Sequence, residues 1–302
     1  MKNSGVEVSI IIPCFNGMRT LRGCLESLLA LAEDSPSHEI IMVDNGSSDG
    51  SAETASSYEQ VTVLYELEQR GPAAARNRGA ASARGEILAF IDIDCIVSPN
   101  WLKHLVPLFS DPKTAGAGGS IVGTEPKNDV QRWMNRANIL DQKRAVEHPF
   151  MPYLQTANAL FRADAFHRAG GFDTQLICGE DCDLSWRIQK ETGMTIAYCP
   201  DAVVHHDHRA SVRGLYRQSK KNAMAGALLS AKWKDALPGK SWKTSVWEVW
   251  DLFLALLRYD AAVLSRKEQS ERFFLRLDFL HRLGRKHGMI ASAWRTRQWS
   301  RW

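Results

Sequence analysis

Apolar residues fall in short runs at 8–12, 39–43, 61–65 and 87–91, rich in Val, Ile and Leu and bounded by polar positions, as buried strands are. Between them, 18–31, 51–58 and 72–83 have helix-forming composition with Gly or Pro at their edges. This alternation predicts parallel strands joined by right-handed helical crossovers. Ligands of such sheets lie at the carboxyl ends of the strands. The residues there are polar: Asn16 after the first run, Asp44 and Asn45 after the second, Asp92 and Asp94 at the fourth.

From about residue 110 the pattern shortens, with a Gly-rich stretch at 116–123, a helical segment at 130–143 and a mixed group at 158–173. A helix is predicted from near Glu180, then a strand at 195–198 and a loop carrying His205, His206 and His208. Beyond Arg209 the chain reads as helical to its end. The expected class is α/β, a mostly parallel sheet flanked by helices with a C-terminal helical extension.

Composition changes this picture only in the extension. The 302 residues are 44% hydrophobic and 24% charged, which excludes disorder as the main state. Residues 209–302 carry 20 Lys/Arg against 7 Asp/Glu, a net +13, and leave 18 against 27, or −9, for 1–208. Seven of the ten Trp lie in the same basic stretch (Trp233, Trp242, Trp247, Trp250, Trp294, Trp299 and Trp302), and Trp with Lys/Arg suits a membrane–water interface. Drawn as a helix, 246–264 sets Val246, Val249, Trp250, Phe253, Leu257 and Leu264 on one face and Glu248, Asp251 and Arg258 on the other. These charges, with Asp260, argue against a bilayer span. Arg266, Lys267, Arg272, Arg276, Arg282, Arg285 and Lys286 follow. Two uses of that face are open: packing on the rest of the protein or a second subunit, or lying on an anionic membrane surface. Nucleic acid fits less well, because no nucleic-acid-binding motif is present. Six Cys without a CxxC pair, and a start without a leader-like apolar stretch, point to a reducing cytoplasm.

Asp92 and Asp94 stand two apart as an apolar strand leaves the core, so both carboxylates address one side. Their repulsion is relieved by a hard divalent ion, Mg2+ or Mn2+, completed by diphosphate oxygens. Two solvated turn aspartates are the plainer alternative. Asp44 opens a Val-Asp-Asn-Gly-Ser-Ser-Asp-Gly segment and stands where a carboxylate can meet a base or ribose, although a turn with a helix cap at Asp49 explains the same residues. Arg76 lies in a small-residue helix and suits phosphate oxygens. Glu180, Asp181 and Asp183 open a helix, where acids are favoured by the macrodipole alone; a proton-abstracting carboxylate would need to be near the reacting centre and free of strong salt bridges.

Residues 7–208 resemble glycosyltransferase family 2, the inverting nucleotide-sugar enzymes of the GT-A type, through VSIIIPCFNG, VDNGSSDGS, GPAAARNRGA, FIDIDC, GEDCDLSWRI and HHDHR. The resemblance implies a Rossmann-like GT-A catalytic domain over 1–208 and a basic, Trp-rich helical extension over 209–302. It implies donor contacts by Pro13, Phe15 and Asn16 after the first strand, nucleoside contact by Asp44 and a hold near the diphosphate by Arg76. Asp94 is then the direct metal ligand, and Asp92 is closer to ribose and metal water. His206 best completes the metal site, with His205 and His208 as alternatives. Asp181 matches the general base. The implied reaction is inverting transfer from a nucleotide-diphosphate sugar to a glycan or lipid-linked acceptor, in cell-surface polysaccharide or glycolipid synthesis, by a cytoplasmic enzyme peripheral to the inner membrane face. Two other classes are weighed beside it. A non-catalytic sugar-nucleotide-binding or scaffolding subunit would have no need of the intact acidic motifs, and a nucleotidyltransferase would call for a Gly-rich phosphate loop after the first strand.

Overall fold

The structure, a computed structural model, describes residues 5–237, 242–265 and 267–296. The described residues group into two compact units. The first holds the chain up to Thr124 with Asn138–Gln175 and Glu180–Asp207, and the second holds Glu125–Ala137, Leu176–Gly179 and the described residues from His208 onward.

In the first unit, β1 (Val8–Cys14), α1 (Met18–Leu29), β2 (His38–Asp44), α2 (Ser51–Ser56), β3 (Val61–Tyr65), α3 (Pro72–Ser82) and β4 (Ile87–Phe90) follow the alternation expected from the sequence. β1 is buried almost throughout because helices cover both sheet faces. On α1 the buried positions Leu21, Cys24, Leu25 and Leu28 repeat at three and four residues and form its inward stripe. α3 starts at Pro72, whose fixed φ suits a first helical position. Gly79 lets it approach the sheet, since a Cβ there would lie 2.5 Å from Ile11 Cγ2.

The later elements of this unit are β5 (Cys95–Val97), α4 (Trp101–Leu105), β6 (Thr114–Gly123), α6 (Gln142–Val146), β7 (Ala159–Arg162), α7 (Ala163–Arg168), α8 (Glu180–Thr192) and β8 (Thr195–His206); α5 (Asp129–Arg136) belongs to the second unit. Among the described residues one sheet runs in the order β3-β2-β1-β4-β7-β6-β8-β5. β2, β3 and β4 run parallel to β1, β7 is antiparallel to both β4 and β6, and β8 runs parallel to β6 and antiparallel to β5. The C-terminus of β8 therefore arrives at the same edge as those of β1, β2 and β4.

Three sequence expectations need correction. The Gly-rich stretch is a ten-residue strand, β6, whose glycines admit neighbours: a Cβ on Gly119 would lie 1.9 Å from the Ala202 carbonyl oxygen. The single helix expected over 130–143 is two, because Asn138 takes a left-handed φ of 45° and Asp141 caps α6 by accepting from the Arg144 amide. The strand expected at 195–198 continues as β8 through His206, so His205 and His206 are strand residues and not part of a loop.

The second unit contains α5, α9 (Val212–Lys232), α10 (Trp242–Leu264) and α11 (Gln269–Thr296). α9 and α11 pack closely at Gly288, where a Cβ would lie 2.2 Å from the Lys220 carbonyl oxygen. His281 on α11 pairs with Ser219 Oγ at 2.7 Å, and burial with the nearby Arg285 charge pushes its pKa down to about 4. Of the apolar face expected on α10, the described Trp250, Phe253, Leu257 and Leu264 are exposed, whereas the buried positions among the described side chains are the small Ala255 and Ala262. The side chains of Trp242, Val246, Trp247, Glu248, Val249 and Trp294, and the whole of Arg266, Trp299 and Trp302, lie outside the described residues. Among the described residues no helix is long and apolar enough to cross a membrane.

Candidate active site

The sequence candidates of the first unit gather along the carboxyl edge of the sheet and at the first turn of α8. β1 and β2 are in register with Cys14 opposite Asp44, so the segments that follow them leave the sheet side by side. Pro13 is partly covered, Phe15 is 60% exposed, and Asn16 takes a left-handed φ of 51°. That turn is tied to the one after β2: the Asn16 amide donates to Ser47 Oγ at 2.9 Å, and Asn16 Oδ1 accepts from the Ser48 amide at 2.9 Å. Asp44 is buried, with Oδ2 accepting from the Gly46 and Ser47 amides at 2.9 and 3.0 Å.

Beyond β4, the sheet geometry explains how Asp94 meets His206. β5 opens at Cys95 directly opposite His206, and the Asp207 amide donates to the Asp94 carbonyl at 2.8 Å. Asp94 Oδ1 lies 3.4 Å from His206 Nε2. The Cys95 thiol is in the same group, the three ligand atoms lying within 4.8 Å of one another. His205 points to solvent, as alternation along a strand requires, and His208 belongs to the second unit. Asp207 is buried and ion-paired with Arg19.

The three acids of α8 have different partners. Asp183 is fully buried and held by Arg187 Nε at 2.8 Å, while Arg187 also donates to the carbonyls of Ala169 and Gly171. Glu180 accepts from Arg76 Nη1 at 2.9 Å, and Asp92 accepts from Arg76 Nη2 at 2.7 Å. Arg76 is itself buried, with its guanidinium carbon 5.6 Å from the Phe172 ring centre. Its two terminal nitrogens are thus engaged by acids from both motifs. Asp181 is the exception: among the described residues no cation forms an ion pair with it. Burial, then the neighbouring Glu180 charge, raises its pKa from 3.8 to about 7, against lowering contributions from the Cys182 amide and Arg76. Cys182 N donates to Asp181 Oδ1 at 2.8 Å.

Sequence reasoning singled out Arg76 and the acidic triplet but assigned no partners, so the bridge from Arg76 to Glu180 and Asp92 went unseen. Arg19 and Cys95 were not singled out at all. Cys95 could have been noticed as the residue completing Asp-Ile-Asp-Cys, but its approach to His206 depends on strand pairing.

A mostly parallel sheet with acids and a histidine at one edge, faced by an acid at a helix start, defines an α/β protein of the GT-A glycosyltransferase class. The fold matches a mannosyltransferase from Pyrobaculum calidifontis, solved in complex with GDP-Man and Mn2+, with a TM-score of 0.68 at 20% identity over 96% of this chain and 87% of that one. The glycosyl transferase family 2 model matches residues 9–170, and the chain belongs to that family. It is 35% identical to the pre-mycofactocin glycosyltransferase of Mycobacterium tuberculosis over 214 residues, 68% of this chain but 44% of that protein. It is 30% identical to the glycosyltransferase AglE of Haloferax volcanii over 67% of each chain, and 26% identical to the poly-beta-1,6-N-acetyl-D-glucosamine synthase of Staphylococcus aureus over 72% of this chain and 54% of that one. The chain therefore spans less than half the length of its mycobacterial relative.

Proposed function

We propose that the protein is an inverting, metal-dependent glycosyltransferase that moves a sugar from a nucleotide-diphosphate sugar to a hydroxyl acceptor in cell-surface polysaccharide or glycolipid synthesis. The observation that carries this reading is the division of acids between the sheet edge and the first turn of α8: Asp94 lies beside His206, Asp92 and Glu180 are held by Arg76, and Asp181 has no ion pair among the described residues and a raised pKa. Asp94 supplies a hard carboxylate oxygen and His206 an imidazole nitrogen, a donor pair that fits Mn2+ and accepts Mg2+ less well. When bound, such an ion offsets negative charge on the departing diphosphate.

Pro13, Phe15, Asn16 and Asp44 would receive the nucleoside end of the donor. Arg76 would act on the diphosphate side by fixing the Asp92 carboxylate. Asp181 would take the proton of the acceptor hydroxyl as that oxygen bonds to the anomeric carbon. The bond from that carbon to the diphosphate breaks on the opposite face, its electron pair leaving with the nucleotide, so a single displacement inverts the configuration.

A thermal-shift panel of nucleotide sugars with Mn2+, coupled to chromatography of released nucleoside diphosphate, tests the reading. One sugar nucleotide should raise the melting temperature only with Mn2+ and be consumed, because a ligand selective for the native state stabilises it. In the Asp94→Ala and His206→Ala variants that Mn2+-dependent shift should shrink at least tenfold in apparent affinity. The absence of any shift and any turnover across the panel would refute the reading.

The extension supports peripheral attachment to an anionic membrane surface, because α10 exposes Trp250, Phe253, Leu254 and Leu257 within a strongly basic stretch. The protein should float with liposomes containing anionic lipid at low salt, and Trp250→Glu with Phe253→Glu should leave most of it at the bottom of the gradient. Flotation unaffected by the double substitution would reject this face as the anchor.

A further inference from the structure

The segment before β7 is fastened along α8 on the side of Asp181. Trp186 Nε1 donates to the Met151 carbonyl at 2.9 Å, Gln189 Nε2 to the Pro152 carbonyl at 2.7 Å, and the Leu154 amide to Ser185 Oγ at 3.1 Å. Ser185 in turn donates to the Asp181 carbonyl at 2.8 Å. This strap carries aromatic rings that meet on Trp186. Phe150 stands edge-on to it at 4.9 Å, Tyr153 at 6.4 Å, and His148 packs against Tyr153 at 5.6 Å. Trp186 is buried, whereas His148, Phe150 and Tyr153 are each partly open to solvent. Burial chiefly, then the nearby Cys182 and Asp181, pushes the pKa of the Tyr153 hydroxyl up.

We propose that this strap is the acceptor subsite and that the reacting hydroxyl belongs to a sugar ring lying on Phe150 and Tyr153. The inference rests on the glycosyltransferase reading and narrows its acceptor to a glycoside. A pyranose has an apolar C–H face that covers part of an aromatic ring and a rim of hydroxyls that the Tyr153 hydroxyl and the Asp181 carboxylate can bond. An extended peptide would need free backbone groups to pair with. The Met151 and Pro152 carbonyls and the Leu154 amide are already taken by α8.

The test uses the full-length protein, the sugar nucleotide selected by the panel, and octyl glucoside, octyl mannoside and octyl N-acetylglucosaminide as acceptors, with octanol and a prenyl phosphate as non-sugar controls. One glycoside should be glycosylated. Phe150→Ala and Tyr153→Ala should each raise its KM about tenfold or more, with the donor dissociation constant within twofold of wild type. Tyr153→Phe, which keeps the ring, should lose less. If an alanine variant fails to fold, Phe150→Leu and Tyr153→Leu keep the bulk without the ring and should show the same shift. An unchanged glycoside KM in folded variants, or transfer to the non-sugar acceptors alone, overturns the inference while leaving the enzyme a glycosyltransferase. Absence of both donor hydrolysis and transfer in wild type overturns the glycosyltransferase reading, and this inference with it.

Discussion

Asp181→Asn is expected to lower transfer by about 10²–10⁴-fold, the usual span for a lost general base, while donor affinity stays near that of wild type. The same substitution should raise stability at alkaline pH. The Asp181 pKa rises from 3.8 to about 7 on folding, chiefly through burial and then through Glu180. Between those values the folded protein holds a proton that the unfolded chain has released. Its contribution to stability therefore falls as pH rises through that window, and above about 7 the charged carboxylate opposes folding in full. Asparagine removes the penalty, so the variant should melt above wild type at pH 8 and alongside it at pH 4. In wild type, kcat/KM should fall as pH drops below about 7, tenfold per pH unit, and the residual rate of the asparagine variant should lack that limb. An alkaline melting temperature unchanged by the substitution would show that the carboxylate is not held in the environment described.

Arg76→Met should be the most damaging substitution for the site as a whole. It removes the buried cation shared by Glu180 and Asp92 and leaves two carboxylates facing a space without compensating charge. Breaking a buried pair on one side costs about 3–5 kcal/mol, with the lower end expected because Asp92 is partly exposed. Arg76→Lys should recover only part of this, since an ammonium cannot bridge both acids with the planar fork of a guanidinium. Because the Arg76 charge also lowers the Asp181 pKa, a folded Arg76→Met protein should show its kcat/KM limb displaced to higher pH. Denaturant unfolding and the pH profile together check the assignment. Wild-type stability with an unshifted limb would contradict it.

Much of this site was visible in the sequence, for a physical reason. Strands β1 to β4 are local features: four short apolar runs with Gly- and Pro-bounded helices between them, and polar residues where each strand leaves the core. Once the strands are taken as parallel, Asn16, Asp44, Asp92 and Asp94 must share an edge. What stayed hidden depends on partners distant in the chain. The glycines of β6 resemble a loop because their purpose is to admit Ala202 and other neighbours that the local pattern does not show. His206 was separable from His205 and His208 only by family resemblance, whereas in the fold the alternation of β8 turns His206 toward Asp94 and His205 toward solvent. Arg76 read as a phosphate-binding cation, and its bond to Glu180, 104 residues away, had no local signal. On α10 the amphipathic pattern was legible but its use was not, since the same stripe serves for packing or for a membrane surface; the structure adds that Trp250 and Phe253 are exposed.

Donor holding and proton removal are assigned to separate acids, Asp94 with His206 at the sheet edge for the first and Asp181 at the start of α8 for the second. Calorimetric titration of the preferred sugar nucleotide into Asp94→Ala and Asp181→Asn, with and without Mn2+, tests this division directly. Asp94→Ala should lose the Mn2+-dependent part of binding and Asp181→Asn should keep it. Equal Mn2+-dependent binding by both variants, or its loss from both, would contradict the division.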